Sequence, residues 1–272
     1  MLSQRVKAAL IFVPLLLIMI TIGGWAFSGF ITIILLLAAL EYARLFSKME
    51  YRSSRLILLA GVLLFILQRW LWEGKHLDIF LSAIIFLAAI AALIEYELGT
   101  KNAAIGFAIT LTGALYLGWV GSFLIALRAL PHGLGWMLTA LPATWLVDNG
   151  AYFFGRWFGK AKMAPNLSPG KTWAGFMGGV LSGTLSGMLL VMLWRGVGLL
   201  PTSIPIWQGA LMGLVVAVLT PIGDLLISLL KRSAGVKDTG NLIPGHGGIL
   251  DRIDTWVWGA MLGYYLVQLF SY

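Results

Sequence analysis

The 272-residue chain is 60% hydrophobic and only 11% charged, with a mean hydropathy of +0.91. Soluble globular domains carry about 25% charged residues, so this composition excludes an aqueous globule and points to lipid as the solvent. The absence of cysteine excludes disulfide frameworks, thiolate nucleophiles and Cys-ligated zinc or iron–sulfur centres. The net charge of +8 and pI of about 9.8 would suggest nucleic acid in a soluble protein. Here the basic residues lie between apolar runs and not along one amphipathic face, so they are read as orienting the chain in a membrane, with no nucleic-acid partner expected.

A bilayer core about 30 Å thick needs roughly 20 apolar helical residues. Runs of that kind are expected near 8–23, 25–40, 56–72, 77–94, 103–127, 134–154, 174–194, 206–230 and 254–271. The first two are separated by little more than Gly23 and Gly24. Met1 to Lys7 followed by an apolar run has the outline of a signal peptide. Apolar character resumes at once from Trp25 to Leu40 without a cleavage context, so the segment is read as an uncleaved first span. The runs are continuous and lack the alternation of a membrane β-barrel, and helices satisfy their own backbone hydrogen bonds in lipid. The expected fold class is therefore all-α: a polytopic integral membrane protein of about nine transmembrane helices with a cytoplasmic N-terminus.

That count assigns every loop a side. Fifteen of the 19 Lys and Arg fall inside, and Arg69, Lys75, Arg128 and Arg195 fall outside, the bias that the positive-inside rule expects. The two longest polar loops, 155–173 and 231–253, are both placed on the inner face. Such loops are where chemistry is sought. The chain divides into hydrophobic helices over 1–100, which carry little chemistry, and a catalytic region over 101–272 that holds both loops.

All five glutamates (Glu41, Glu50, Glu73, Glu95 and Glu97) lie in the first hundred residues near expected span ends, and are read as solvated loop charges. Beyond residue 100 the acids are all aspartates. Asp148 and Asp224 sit inside apolar runs, where a carboxylate costs about 3 kcal/mol on insertion scales and usually faces a wet cavity or a partner. Pro221, three residues before Asp224, frees the backbone carbonyl one turn before itself. On a continuing helix Ser228 and Lys231 follow on the same face, four and seven residues on.

The segment from Lys231 to Asp254 holds three acids, four bases, a histidine and five glycines in a chain where charge is scarce. Gly245, Gly247 and Gly248 free the backbone to approach a ligand and aim N–H groups at anions. Lys231, Arg232, Lys237 and Arg252 are suited to phosphate, although an anchor on anionic head groups also explains their charge. Asp251 and Asp254 share a face if a helix starts there. Carboxylates beside cations repel a bare anion, and the combination makes sense when a divalent cation such as Mg²⁺ bridges carboxylate and phosphate. His246 has three open readings: general base, metal ligand, or a loop histidine bonded to backbone.

The run Ser228-x-Leu230-Lys231-Arg232, four residues, then Lys237-Asp238-x-Gly240-x-x-Ile243-Pro244-Gly245-His246-Gly247-Gly248-Ile249-x-Asp251-Arg252-Ile253-Asp254 closely resembles the motif of the phosphatidate cytidylyltransferase (CDP-diacylglycerol synthase) family. A second stretch, Asp148-Asn149-Gly150-Ala151-Tyr152 through Gly155 and Gly159-Lys160 to Leu167-Ser168-Pro169-Gly170-Lys171-Thr172-Trp173, is also similar to that family. The resemblance covers roughly 100–272, and the first hundred residues match only in being hydrophobic. Where the family tends to have an acid after Lys-Thr-x, this chain has Ala174.

The resemblance implies transfer of CMP from CTP to phosphatidic acid, giving CDP-diacylglycerol and pyrophosphate in phospholipid biosynthesis. It implies Asp224 and Asp251 as leading Mg²⁺ ligands, with Asp148 and Asp254 secondary. Lys237 and His246 join the two leading aspartates as expected catalytic groups. Lys171, Ser168, Ser228, Lys231, Arg232, Gly245, Gly247, Gly248 and Arg252 are the expected substrate contacts. A second, monovalent cation such as K⁺ and a homodimer stay open. By analogy the setting is a bacterial inner membrane with the active site facing the cytoplasm. Two rivals remain: a related head-group enzyme (a polyprenol kinase or CDP-archaeol-type synthase), and a secondary transporter, against which the one-sided placement of charge and the lack of an inverted repeat both speak.

Overall fold

Backbone groups in hydrocarbon must be satisfied within their own segment, and the apolar runs accordingly form helices. The structure, a computed structural model, describes residues 2–242 and 247–270, with side chains described at residue 10 and from residue 12 onward within those spans. The elements in chain order are α1 (Leu2–Ile22), α2 (Gly24–Lys48), α3 (Arg55–Trp72), α4 (Leu77–Glu97), α5 (Ala103–Gly113), a π-helical stretch (Ala114–Val120), α6 (Phe123–Ala129) and α7 (Gly133–Phe158). A two-stranded hairpin follows, β1 (Lys162–Ala164) and β2 (Ser168–Thr172), then α8 (Trp173–Gly196), α9 (Ile206–Ser233) and α10 (Leu250–Phe270). The protein is an all-α integral membrane protein.

Among the described residues, six stretches are long and apolar enough to cross a bilayer: α2, α3, α4, the combined Ala103–Ala129, α8 and α9. The expected count of nine is therefore not reproduced by length and apolarity. At the other three expected positions stand α1, α7 and α10, of 21, 26 and 21 residues. Polar groups explain two of these: α7 carries Asp148 and Asn149, and α10 carries Asp254 and Gln268. The expected loops also shrink. Residues 155–158 still belong to α7, most of 162–172 is an antiparallel hairpin, Lys231–Ser233 close α9, and Leu250 opens α10.

Two compact units are present. The first takes in the chain up to Ala126 together with Leu230–Ile253. Its core is apolar, with Phe27, Ile31, Leu35, Leu58, Val62, Phe65 and Leu117 buried. The Tyr42 hydroxyl lies 3.0 Å from Thr112 Oγ1 and donates to the Ile109 carbonyl at 3.3 Å. The Arg69 guanidinium stacks 4.3 Å from the centre of the Phe123 ring, a cation–π contact.

The second unit takes in Leu127–Leu229 and the chain from Asp254. Lipid offers no hydrophobic drive between helices, so close backbone approach through small residues is what associates them. Gly183 and Gly187 of α8 face Gly209 and Gly213 of α9, each pair spaced four residues apart on its helix. A Cβ on Gly187 would strike the Gly209 carbonyl, one on Gly209 the Gly187 carbonyl, and one on Gly213 the Gly183 carbonyl. On the α7 side of α8, Gly178 accommodates Phe154, and Gly150 accommodates Ser182.

Candidate active site

In the second unit, the hairpin is what delivers a cation. Lys162 pairs with Thr172 and Ala164 with Ser168, and the Trp173 N–H donates to the Ala161 carbonyl at 3.1 Å. Thr172 then caps α8, its Oγ1 accepting from the Gly175 N–H at 3.1 Å, the usual satisfaction of an orphan helix donor. The first turn of α8, which begins with Trp173 and Ala174, contains no acid. Lys171, one residue before the cap, is thereby held with its Nζ 2.5 Å from Asp224 Oδ2. Both side chains remain partly accessible, at 24% and 34%.

Asp224 and Lys171 open on a cavity of about 230 Å³, with Asp148 of α7 on the same wall. Val147, Phe176, Ala217 and Pro221 make the rest of the wall largely apolar. Pro221 lies inside α9 and has no N–H to give the carbonyl of Ala217 one turn earlier. Thr220, beside it, turns its hydroxyl onto the Val216 carbonyl at 2.8 Å. Two carboxylates and one ammonium thus converge on one partly apolar cavity. Ser168, at the far end of β2, is not among the residues lining it. Ser228 is buried on α9 one turn beyond Asp224. Asp254 is buried too, its Oδ1 accepting from the Thr255 N–H at 2.8 Å.

In the first unit, Asp251 is the centre of a second cluster. Its Oδ1 accepts from Lys231 Nζ at 2.6 Å. Its Oδ2 accepts from the Thr239 N–H at 2.8 Å, Thr239 Oγ1 at 2.9 Å and the Gly248 N–H at 3.1 Å. Burial pushes the Asp251 carboxyl up, but the Lys231 hydrogen bond, the Thr239 N–H, the Lys231 charge and the Gly248 N–H outweigh it and hold the group below the ordinary carboxylate value. The glycine expected to aim its N–H at an anion does so, and the anion is the chain's own Asp251. Gly247 has a φ of +81° with Asp251 Oδ2 3.0 Å from where a Cβ would stand. A Cβ on Gly248 would strike Thr239 Oγ1 and Glu41 Oε2. Arg232, Lys237 and Arg252 are exposed. Gly245 and His246 lie outside the described residues.

Glu41 corrects the expectation that the glutamates are solvated. It is fully buried on α2. Its Oε1 accepts from the Ile249 N–H at 3.1 Å, and its Oε2 from the Leu250 N–H at 2.9 Å and from Thr239 Oγ1 at 3.0 Å. Its position one residue past the expected span 25–40 suggested a span-end charge, but α2 runs on to Lys48 and keeps Glu41 in the interior. The test that singled out Asp148, an acid flanked by apolar residues, fits Leu40-Glu41-Tyr42-Ala43 equally well. Thr239 and Thr172 carried no such signal, because a threonine beside charged residues reads as ordinary loop.

Among the described residues, no three or more histidines, aspartates or glutamates gather as a ready-made metal cage. Mg²⁺ is commonly held by one or two carboxylates, with water and substrate phosphates completing its shell. Asp148 and Asp224 on a shared cavity fit that habit.

Residues 3–270 match the model of the cytidylyltransferase family. The chain is 33% identical over 279 residues to the phosphatidate cytidylyltransferase of Bacillus subtilis (strain 168), covering 99% of this chain and 98% of that protein. It is 31% identical to the phosphatidate cytidylyltransferase of Synechocystis sp. (strain ATCC 27184 / PCC 6803 / Kazusa), covering 98% and 97%, and 32% identical to that of Brucella suis biovar 1 (strain 1330), covering 99% and 94%. The likeness therefore includes the first hundred residues, which had been expected to match only in hydrophobicity. With its family matched from end to end, and with paired carboxylates, lysines and a glycine-tight loop at the positions the motif singles out, the chain belongs to the cytidylyltransferase family.

Proposed function

We propose that this chain transfers CMP from CTP to phosphatidic acid, releasing pyrophosphate and leaving CDP-diacylglycerol in a bacterial inner membrane, with the site facing the cytoplasm. The observation that carries the reading is the cavity in the second unit where Asp148, Asp224 and Lys171 meet an apolar wall. Charged groups suit a triphosphate or a phosphate head group, and apolar lining suits the glycerol and acyl portion of a lipid. The near full-length likeness to relatives named phosphatidate cytidylyltransferase supports the choice of nucleotide and lipid.

In the proposed reaction, a phosphate oxygen of phosphatidic acid attacks the α-phosphorus of CTP. The bond from that phosphorus to the oxygen bridging the β-phosphorus breaks, and pyrophosphate leaves with the electron pair. The phosphate is already anionic near neutral pH, so no strong base is required. The barrier lies in bringing two anions together and in aligning them.

Asp148 and Asp224 are the residues that would hold Mg²⁺, and the ion would supply charge neutralisation at the transferring phosphorus. Asp251, held ionised by Lys231 and by the Thr239 and Gly248 N–H groups, and with Lys231 the one partner of Oδ1 among the described residues, is the further carboxylate we assign to cation binding. Lys171 and Lys231 are the ammonium groups nearest these carboxylates, and we assign them to phosphate. Arg232, Lys237 and Arg252 are exposed and suit CTP or lipid head groups arriving from water.

The test uses labelled phosphatidic acid, CTP and Mg²⁺ with purified protein and with its Asp224→Asn form. The reading expects label to move into CDP-diacylglycerol with the first and not with the second, both being equally inserted in membranes. Conversion by Asp224→Asn at the unaltered rate would remove the cation assignment, and no conversion by the unaltered protein would remove the reaction.

A further inference from the structure

Glu41 stands far in sequence from the residues it holds. Its carboxylate accepts two consecutive backbone N–H groups, Ile249 and Leu250, at the entry to α10. These are among the first donors of the helix, which have no partner inside it. The same carboxylate meets Thr239 Oγ1, and that hydroxyl also lies 2.9 Å from Asp251 Oδ2. A threonine hydroxyl has one hydrogen, so it donates to one of these two carboxylate oxygens at a time, while standing within hydrogen-bond reach of both.

The packing around Glu41 leaves no slack. A Cβ on Gly240 would strike Glu41 Oε1, and one on Gly248 would strike Glu41 Oε2. Two glycines of the charged loop are thus explained by the volume of one glutamate from α2. Among the described residues no ion pair involves Glu41, so its bonds run to backbone N–H groups and one hydroxyl. Burying a carboxylate is costly unless such donors meet it, and a space-filling role would be met at less cost by Leu or Met. What this carboxylate does that an apolar group does not is take hold of both sides of the loop: Thr239 before it, Ile249 and Leu250 after it.

We propose that Glu41 is a positioning residue for Asp251, clamping Thr239 to the Ile249–Leu250 backbone so that the Asp251 carboxylate and its partner Lys231 keep one fixed placement. This inference rests on the cation-binding role assigned to Asp251 under the proposed function. Glu41 touches no substrate. It acts through Thr239 and through the backbone at the start of α10. A glutamine at the same position keeps the shape and one acceptor oxygen, but it turns an N–H₂ group toward an N–H or the hydroxyl, so only part of the clamp survives.

The experiment uses the full chain in detergent or nanodiscs, with Glu41→Gln, Glu41→Ala and Thr239→Val. The first readout is amide hydrogen exchange without Mg²⁺ or nucleotide. Peptides covering 239–242 and 247–252 are expected to exchange at least about tenfold faster in each variant, while peptides from α7 and α8 keep their rates. The second readout is the Mg²⁺ concentration giving half-maximal CTP turnover with phosphatidic acid. It is expected to rise about tenfold, with Glu41→Gln less affected than Glu41→Ala, as for other residues that orient a metal ligand. A purely structural glutamate would instead lower the amount of folded protein and leave that concentration where it was.

If Glu41→Ala does not fold, Glu41→Gln and Thr239→Val still decide the matter. Folded variants with unchanged exchange over these peptides and an unchanged Mg²⁺ requirement would overturn the proposal. Should the unaltered protein show no CTP turnover, the proposed reaction fails, and the exchange readout alone then upholds or overturns the clamp.

Discussion

Lys171 Nζ and Asp224 Oδ2 stand 2.5 Å apart, an ammonium from a β-hairpin set against a carboxylate from the middle of α9. Asp148 lines the same cavity, so two carboxylates and one lysine face a common space. Replacing that lysine with methionine removes the cation paired with Asp224 and leaves two carboxylates facing the cavity. Lys171→Met is expected to lower CTP turnover by about 100-fold or more, in line with the loss of a preorganised charge at a reacting phosphate. Steady-state kinetics on protein shown to be inserted in membranes checks it. A Lys171→Arg form is expected to recover only part of the loss, because a planar fork does not reproduce a point charge.

The Lys231–Asp251 pair is more deeply buried, with side chains 14% and 5% accessible at a distance of 2.6 Å. Removing one partner of such a pair leaves a buried charge uncompensated. Lys231→Met should therefore destabilise the protein by about 3 kcal/mol. Lys231→Met combined with Asp251→Asn should be less destabilised than the single variant. Thermal unfolding in detergent, followed for the two single variants and the double, measures both effects.

Because the folded Asp251 carboxyl lies below its ordinary value of 3.8, its contribution to stability has a defined sign with pH. The unfolded chain binds the proton first as pH falls, so the contribution is fully present above that ordinary value. It declines as pH drops below 3.8 and is lost once the folded group protonates. Unfolding midpoints measured in EDTA from neutral to acid pH should fall over that window, and Asp251→Asn should remove this component. An identical pH profile in the variant would contradict it.

Gly187 and Gly209 face each other with no room for a side chain on either. Gly187→Val or Gly209→Val should push α8 and α9 apart and cost at least about 1–3 kcal/mol. Gly196→Ala, at a position with nothing within reach of a new Cβ, is the control and should be close to neutral. Midpoints of thermal aggregation in a common detergent compare the three.

Much of the fold was legible in the sequence because a membrane imposes a length on apolar runs. The expected spans fall on helical segments, from 8–23 on α1 to the described part of 254–271 on α10, with 103–127 divided among α5, the π-helical stretch and α6. The number that satisfies apolarity alone was less legible, because α7 and α10 carry polar residues within spanning length. Asp148 and Asp224 are legible as charge placed in apolar surroundings and Lys171 through the family resemblance, and the structure sets the three around one cavity. The partnerships were not legible. Nothing local in the sequence says that Lys171 answers Asp224, or that Lys231 answers Asp251 and not the Asp224 seven residues before it. Glu41 was not legible as an interior residue because the apolar run of its span ends at Leu40, eight residues before α2 closes at Lys48.

The central claim is that acids and lysines in this chain are arranged to join CTP to a lipid phosphate. Its most direct measurement is pyrophosphate release by purified protein given phosphatidic acid, Mg²⁺ and each of the four ribonucleoside triphosphates in turn. The account predicts release with CTP far above the other three, dependent on both lipid and Mg²⁺, and one CDP-diacylglycerol formed per pyrophosphate. Release that ignores the base, proceeds without lipid, or leaves no CDP-lipid behind would contradict it.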